Sequence, residues 1–176
     1  MIYLAPSNLE RIRFVTGGYD EIRYTAELAR SIKRYLSDYP CMIADAQHKF
    51  KERAEAAAGC SLYIALNTNF SHDYKAAGTV CYFHPDDSKS LALATALANN
   101  LTALCPIAPT REKSVVDGMS IYGTLCVAEI QLPREQGITP VLIEVNAHDN
   151  PETCRWLIGA SDEIAKCIAE TILPFA

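Results

Sequence analysis

The sequence lacks the features that mark several common classes of protein. It has no lysine- or arginine-rich run, and its 176 residues carry a formal net charge of −5, so the electrostatic footprint of a nucleic-acid binder is missing. No apolar stretch approaches the roughly 18–20 residues of a membrane helix. The opening MIYLAPSNLE has no basic segment followed by a long apolar run. We therefore expect no signal peptide, and a cytoplasmic location where the protein is made.

The cysteines also lack the spacing of a metal or disulfide framework. There are seven of them and no C-x-x-C pair, whereas zinc fingers and disulfide-rich domains need closer spacing. They lie at positions 41, 60, 81, 105, 126, 154 and 167. Several fall within apolar segments, so we expect reduced, buried thiols that behave as small hydrophobic side chains.

What the chain does have is an alternation of strand-like and helix-like apolar periods. Hydrophobic residues make up 49% of the sequence, which is enough for one packed core, and no repeat, low-complexity tract or linker divides residues 1–176. Predicted strands cover residues 2–4, 41–44, 61–66, 78–84, 121–130 and 140–146, with residues 106–120 as a loop. Predicted helices start near Asp20, His48, Ser88, Asn150 and Ser161. This order predicts a single α/β domain, a three-layer sandwich around a mostly parallel, roughly six-stranded sheet.

Polar residues follow the predicted strands at the ends that a parallel sheet brings to one edge. They are Ser7, Asn8, Asn67, Thr68, Asn69, Glu144, Asn146, His148, Asp149 and Asn150, with Glu21 at the start of the first helix. Glu144 interrupts an apolar strand, where an unpaired carboxylate costs several kcal/mol unless it faces a cleft. Burial would raise its pKa, as suits a general acid or base. The alternative is a solvated sheet edge or an arginine partner.

Glu21 and His148 have ordinary structural explanations when each is taken alone. An acidic residue in a first helical turn complements the helix dipole, and a loop histidine can be hydrogen-bonded near a helix start. Together with Glu144 they give two carboxylates and an imidazole at one predicted edge. That combination is typical of a zinc hydrolase, in which a nearby glutamate accepts a proton from metal-bound water.

Across nearly the whole chain, the order of segments resembles the zinc-dependent N-acetylmuramoyl-L-alanine amidases of bacterial autolysins and phage endolysins. The family's D-P-G-H turn corresponds to APSN at residues 5–8, and its helix glutamate to Glu21. Its ADLFISIHAN segment corresponds to CSLYIALNTN at 60–69. Its AVLVEIGFLSNPE segment corresponds to PVLIEVNAHDNPE at 140–152, which aligns Glu144 with the catalytic glutamate. A variant group with I-Y-L-S-P-S and H-D-N segments is closer still.

The resemblance implies a zinc site whose histidine ligands are replaced in this chain. The family's three ligand positions correspond to Asn8, Glu21 and Asn67, and amide oxygens suit harder cations better than zinc. His148, four residues beyond Glu144, and His72, five residues beyond Asn67, would restore a Glu21, His148 and His72 ligand set.

Three hypotheses about function follow. The first is a peptidoglycan amidase that cleaves the lactyl-amide bond to L-alanine, with zinc, Glu144 as the base, and peptidoglycan or a muropeptide as its partner. Such an enzyme would reach the cell wall through lysis or another export route. The second is an inactive pseudo-amidase that serves as a binding or regulatory module. The third is an unrelated small-molecule enzyme of similar architecture.

Overall fold

The computed structural model describes residues 1–10, 12–71, 73–120 and 125–176, and these build a mixed sheet with helices on both faces. The strands are β1 (Ile2–Pro6), β2 (Cys41–Ile43), β3 (Leu62–Asn69), β4 (Val80–Phe83), β5 (Val115–Asp117) and β6 (Thr139–Ala147). The helices are α1 (Glu21–Tyr35), α2 (Phe50–Ala56), α3 (Ser88–Leu104), α4 (Leu125–Glu135), α5 (Pro151–Gly159) and α6 (Ser161–Ile172), followed by a 3₁₀ turn, Leu173–Phe175. No helix in these ranges is long and apolar enough to cross a membrane.

The six strands form one sheet in the order β2-β1-β3-β6-β4-β5. Every neighbouring pair is parallel except β4 and β6, which run antiparallel. The carboxyl ends of β1, β3 and β6 therefore meet at one edge of the sheet, where the amino end of β4 joins them. We call this the active edge. The prediction of an α/β sandwich around a mostly parallel, six-stranded sheet is confirmed.

Two apolar cores pack against opposite faces of this sheet. The strand residues Ile64 and Ile143 point into the larger core, which α1, α3, α5 and α6 cover. Their neighbours Tyr63 and Leu142 point into the smaller core, to which α4 contributes. Because side chains alternate along a strand, Glu144 shares the face of Leu142.

The helix starts follow the capping chemistry of the sequence. Asp20 accepts a hydrogen bond from the Arg23 backbone N–H at the start of α1, and Asn150 accepts one from Glu152 at the start of α5. The capping residue of α3 is Asp87, one residue before the predicted start, and its carboxylate accepts from two backbone N–H groups. Along α6 the residues Ile164, Ile168 and Ile172 recur every four positions and are buried, so one face of this helix packs against the core.

Two predicted elements around residue 120 are wrong. The strand predicted for 121–130 is the helix α4 from Leu125 onward, and residues 121–124 lie outside the described residues. The buried residues Glu129, Ile130 and Pro133 recur at helical spacing. The predicted loop 106–120 contains β5, a three-residue strand beside β4. Strand-type and buried-helix segments are difficult to tell apart from a short apolar run.

Candidate functional site

Glu144 lies near the end of β6 at the active edge and is partly buried. Its Oε2 atom accepts hydrogen bonds from the Asn69 amide and from the Tyr82 hydroxyl, the latter at 3.0 Å. Burial raises the pKa of Glu144 to about 7, although the Tyr82 hydrogen bond and the charge of Arg111 lower it. Glu144 therefore exchanges a proton near neutral pH, as a general base must.

Asn67 is the direct partner of Glu144 in the pairing of β3 with β6. Both residues are partly buried, and the Asn67 side chain makes no hydrogen bond with any described residue. Asn8, two residues beyond β1, lines the same small cleft as Asn67 and donates from its amide to the His48 carbonyl at 3.1 Å. The two residues that the resemblance aligns with zinc-binding histidines thus line one cleft at the active edge.

Glu21 is buried to 1% exposure at the start of α1 and is held by hydrogen bonds on both oxygens. The Ser7 hydroxyl donates to Oε2 at 2.9 Å. The backbone N–H and the hydroxyl of Thr68 both donate to Oε1, the hydroxyl at 2.9 Å. Burial raises the pKa of Glu21, and the donors from Thr68 and Ser7 oppose that shift.

His148 belongs to the same hydrogen-bonded network through Thr68. Its Nδ1 atom lies 2.9 Å from the Thr68 hydroxyl oxygen. Where the Thr68 hydroxyl donates its single proton to an ionised Glu21, Nδ1 carries the ring proton and donates, which leaves Nε2 as the acceptor. The ring stacks on Phe14 at 5.7 Å and contacts Phe70 at 6.2 Å between centroids. Burial lowers the pKa of His148 despite the charge of Asp149 and favours the neutral ring.

The described donors do not fit a zinc ion. Three zinc ligands must converge on one point, and the part of the chain that the structure describes contains no group of three His, Cys, Asp or Glu side chains arranged for a metal. Glu21 and His148 are brought together, but the Thr68 hydroxyl lies between them as a hydrogen-bond bridge. His72 lies outside the described residues, so the set of Glu21, His148 and His72 stays a prediction.

A buried ion pair, which the sequence analysis missed, lies beneath the active edge. Arg53 of α2 is fully buried, and its Nη1 atom contacts Glu129 of α4 at 3.5 Å and the Pro6 carbonyl at 2.8 Å. The Tyr63 hydroxyl donates to the other oxygen of Glu129. Burial raises the pKa of Glu129, and Tyr63 and Arg53 lower it. Glu129 could have been identified from the sequence, because it is a lone carboxylate in the apolar segment VAEI. The same kind of signal identified Glu144.

The roles of the donors that surround Glu144 and Glu21 also have little signal in the sequence. Thr68 and Asn69 stand out there only as polar residues after the strand predicted for 61–66, and Tyr82 has nothing that distinguishes it from other strand residues. Tyr82 reaches Glu144 because β4 runs antiparallel to β6, with Tyr82 opposite Leu142. Strand pairing of this kind has no local sequence signal.

No protein-family model and no curated protein matches the chain. Solved structures do match. An N-acetylmuramoyl-L-alanine amidase from Clostridium difficile 630 aligns with a TM-score of 0.78 and 16% identity, over 99% of this chain and 95% of that one. The catalytic domain of CwlV, an N-acetylmuramoyl-L-alanine amidase from Bacillus (Paenibacillus) polymyxa var. colistinus, aligns with a TM-score of 0.75 and 16% identity, over 99% of this chain and 96% of that one. The catalytic domain of CD27L endolysin, which targets Clostridia difficile, aligns with a TM-score of 0.69 and 18% identity, over 98% of this chain and 96% of that one. At these identities the similarity shows a shared fold.

Proposed function

We propose that this chain is an amidase-like cell-wall hydrolase domain that cleaves the lactyl-amide bond between the muramoyl group and L-alanine of peptidoglycan or a muropeptide. The fold it shares with amidases over nearly its whole length supports the substrate class. The observation that carries the proposal is Glu144, a partly buried carboxyl with a pKa of about 7 at the active edge.

Glu144 supplies the proton transfers of this hydrolysis. Its carboxylate takes a proton from water as the water oxygen attacks the lactyl carbonyl carbon. The resulting carboxylic acid then gives that proton to the alanine nitrogen as the carbon–nitrogen bond breaks, which releases the free amine and the lactyl acid. Hydrogen bonds from Tyr82 and Asn69 fix the carboxyl in position for both transfers.

Asn67 is the residue placed to stabilise the negative charge that develops on the carbonyl oxygen. It pairs with Glu144 across neighbouring strands, and its side-chain amide has no hydrogen-bond partner among the described residues. An amide N–H is a suitable donor to an oxyanion, and loss of one such donor typically costs about 10²–10³ in kcat.

Zinc enters this proposal only as a separate hypothesis, because the described donors do not fit it. Its ligands would be Glu21, His148 and His72. Metal analysis of the purified protein tests this set directly. Stoichiometric zinc that is lost in both His148→Ala and His72→Ala supports it, and zinc-free protein after purification in zinc-containing buffer contradicts it.

The second candidate function is a pseudo-amidase that binds cell-wall fragments without cleaving them. Two observations favour it: both family histidine positions carry the amides of Asn8 and Asn67, and the Glu21 carboxylate is occupied by donors from Ser7 and Thr68. These three donors from within the fold occupy most of the positions at which the carboxylate could accept a ligand.

Dye release from labelled cell walls, with and without added zinc, separates the two functions. We expect release by the wild type and by the exposed control Glu163→Gln, and a loss of at least about 10²-fold in Glu144→Gln. Asn67→Ala should lose rate while retaining cell-wall binding in a pull-down. Binding without release in the wild type would instead establish the pseudo-amidase.

A further inference from the structure

The loop that follows β3 presents aromatic side chains to solvent, and it begins directly after Asn69, the hydrogen-bond partner of Glu144. We call residues 70–77 the rim loop; its residue 72 lies outside the described residues. Phe70 and Tyr74 are 55% and 63% exposed, although such side chains are usually buried. Tyr74 also has a φ of +59°, which is uncommon for a residue other than glycine and often marks a functional loop.

Hydrogen bonds hold the rim loop in this conformation. The Ser71 backbone N–H donates to the Asp149 carboxylate at 2.7 Å, and the Ser71 hydroxyl accepts from the Ala76 N–H at 3.0 Å. The Asn150 amide donates to the Ala76 carbonyl at 3.1 Å. The exposed aromatic rings are therefore carried by an anchored loop.

Arg111 adds a cation to the same surface. Its Nη2 atom donates to the Phe70 carbonyl at 3.2 Å, and the Phe70 N–H donates to Asn69, which in turn donates to Glu144. Three consecutive hydrogen bonds thus connect the guanidinium to the proposed base. The positive charge of Arg111 also lowers the pKa of Glu144, which places the two within electrostatic range.

Arg111 lines a shallow basin that opens beside the rim loop. Lys75 and Asp73 line it as well, so the basin holds two cations and one carboxylate. The neighbouring Thr110 is fixed to the rim loop, since its N–H donates to the Ala77 carbonyl and its hydroxyl accepts from the Ala77 N–H, both at 3.0 Å. The Arg111 side chain therefore extends from an anchored backbone, with guanidinium donors left for a ligand.

We propose that Arg111 binds the free carboxylate of the second stem-peptide residue, while Phe70 and Tyr74 pack against the adjacent sugar and peptide. This subsite rests on the proposed function. With the scissile carbonyl at Glu144, the second residue lies about 7 Å further along an extended peptide, a span that a long arginine side chain can bridge. A guanidinium binds a carboxylate through two parallel hydrogen bonds, and this geometry selects an acid over an amide.

Two ligands that differ at one group test the subsite. N-acetylmuramoyl-L-Ala-D-Glu has a free α-carboxylate on its second residue, and N-acetylmuramoyl-L-Ala-D-isoglutamine carries an amide there. Binding is measured by calorimetry in a Glu144→Gln background, which prevents turnover. We expect the acid to bind about tenfold more tightly than the amide, as loss of one charge-assisted contact predicts.

Substitutions then assign the preference to Arg111. Arg111→Gln should bind both ligands equally, Arg111→Lys should restore part of the preference, and the exposed control Arg30→Gln should keep all of it. Phe70→Ala should weaken both ligands by the same factor. A thermal unfolding midpoint for each variant shows that it is folded.

The binding measurements distinguish a wrong carboxylate subsite from a wrong proposed function. If the protein with intact Arg111 binds both ligands equally, the carboxylate subsite is wrong and binding of the muropeptide still supports the proposed function. A preference that survives Arg111→Gln also overturns the subsite. If neither ligand binds, both proposals fall.

Discussion

At the scale of single residues, the proton affinity of Glu144 reflects two opposing effects. Burial favours the neutral acid, whereas hydrogen bonds from donors favour the carboxylate. The result is a pKa of about 7, close to that of an effective base at neutral pH. The nearby Glu21 has a raised pKa as well, but it differs from Glu144 in that donors from Ser7 and Thr68 contact both of its oxygens.

The Tyr82 hydroxyl should set the pH dependence of activity. A general base works in its ionised form, so activity should rise with pH through about 7 in the wild type. Because the Tyr82 hydrogen bond lowers the pKa of Glu144, Tyr82→Phe should move the midpoint of the pH–rate profile upward. The measurement is kcat/KM for dye release across pH, with Tyr39→Phe as the control. An unchanged midpoint in Tyr82→Phe would show that Glu144 is not the titrating base.

The Thr68 hydroxyl joins Glu21 to His148, and its removal should affect both. Thr68→Val leaves the Glu21 carboxylate short of one donor and the His148 N–H without an acceptor, at a cost of about 1–3 kcal/mol in the free energy of unfolding. Denaturant unfolding measures that cost. Thr95→Val, an exposed position on α3, is the matched control.

The same variant tests the proton position on His148. Nitrogen NMR of the imidazole should show a proton fixed on Nδ1 in the wild type and a mixture of tautomers in Thr68→Val. A wild-type ring with its proton on Nε2 would contradict the network that links His148, Thr68 and Glu21.

At the scale of elements, long segments were predictable and short ones were not. The apolar runs of β3 and β6 are unambiguous because each crosses the centre of the sheet and is buried on both faces. The strand β5 is an edge strand of only three partly buried residues. A segment of this length is too short to show an alternation of apolar and polar residues. The segment of α4 was predicted to be a strand because a short apolar run does not distinguish a strand from a buried helix. The proline within it, Pro133, also argues against a helix.

The Arg53–Glu129 pair ties α2 to α4 beneath the active edge, and its loss should be costly. Arg53→Met removes the charge partner of a carboxylate that is 4% exposed, and breaking such a pair typically costs about 3–5 kcal/mol. The free energy of unfolding from denaturant titration measures this. Lys51→Met, on the exposed side of the same helix, should change it by less than about 0.5 kcal/mol.

The double variant Arg53→Met with Glu129→Leu separates a charge effect from a packing effect. If the uncompensated charge causes the loss, the double variant should be more stable than Arg53→Met alone, because no buried carboxylate is left without its partner. A double variant that is less stable than either single variant would show that the two side chains act mainly through packing.

At the scale of the whole molecule, the gathering of the candidate site residues at one edge of the sheet was predictable from topology. Parallel strands bring their carboxyl ends to one edge, and this alone gathers Asn8, Asn67, Glu144 and His148. The chemistry at that edge was not predictable, because it depends on which groups share hydrogen bonds. Thr68 decides whether Glu21 is available, and only the packing of α1 against the end of β3 reveals that contact.

The fold therefore predicts how zinc binding could be introduced. Asn8→His together with Asn67→His restores imidazoles at the two positions that the resemblance aligns with zinc-binding histidines, yet Thr68 and Ser7 still hold both oxygens of Glu21. We expect this double variant to hold less than one zinc per chain after dialysis, and the triple variant that adds Thr68→Ala to hold more, because that change removes one of the three donors to Glu21 while the residue 68 backbone N–H and Ser7 stay in place. Zinc content and the zinc-dependent rise in unfolding midpoint are the measurements. Asn99→His, which adds an exposed imidazole on α3, controls for surface binding. Equal zinc in the double and triple variants would show that the Thr68 hydroxyl does not restrain Glu21, and the occupied carboxylate would then not explain the poor fit of a metal.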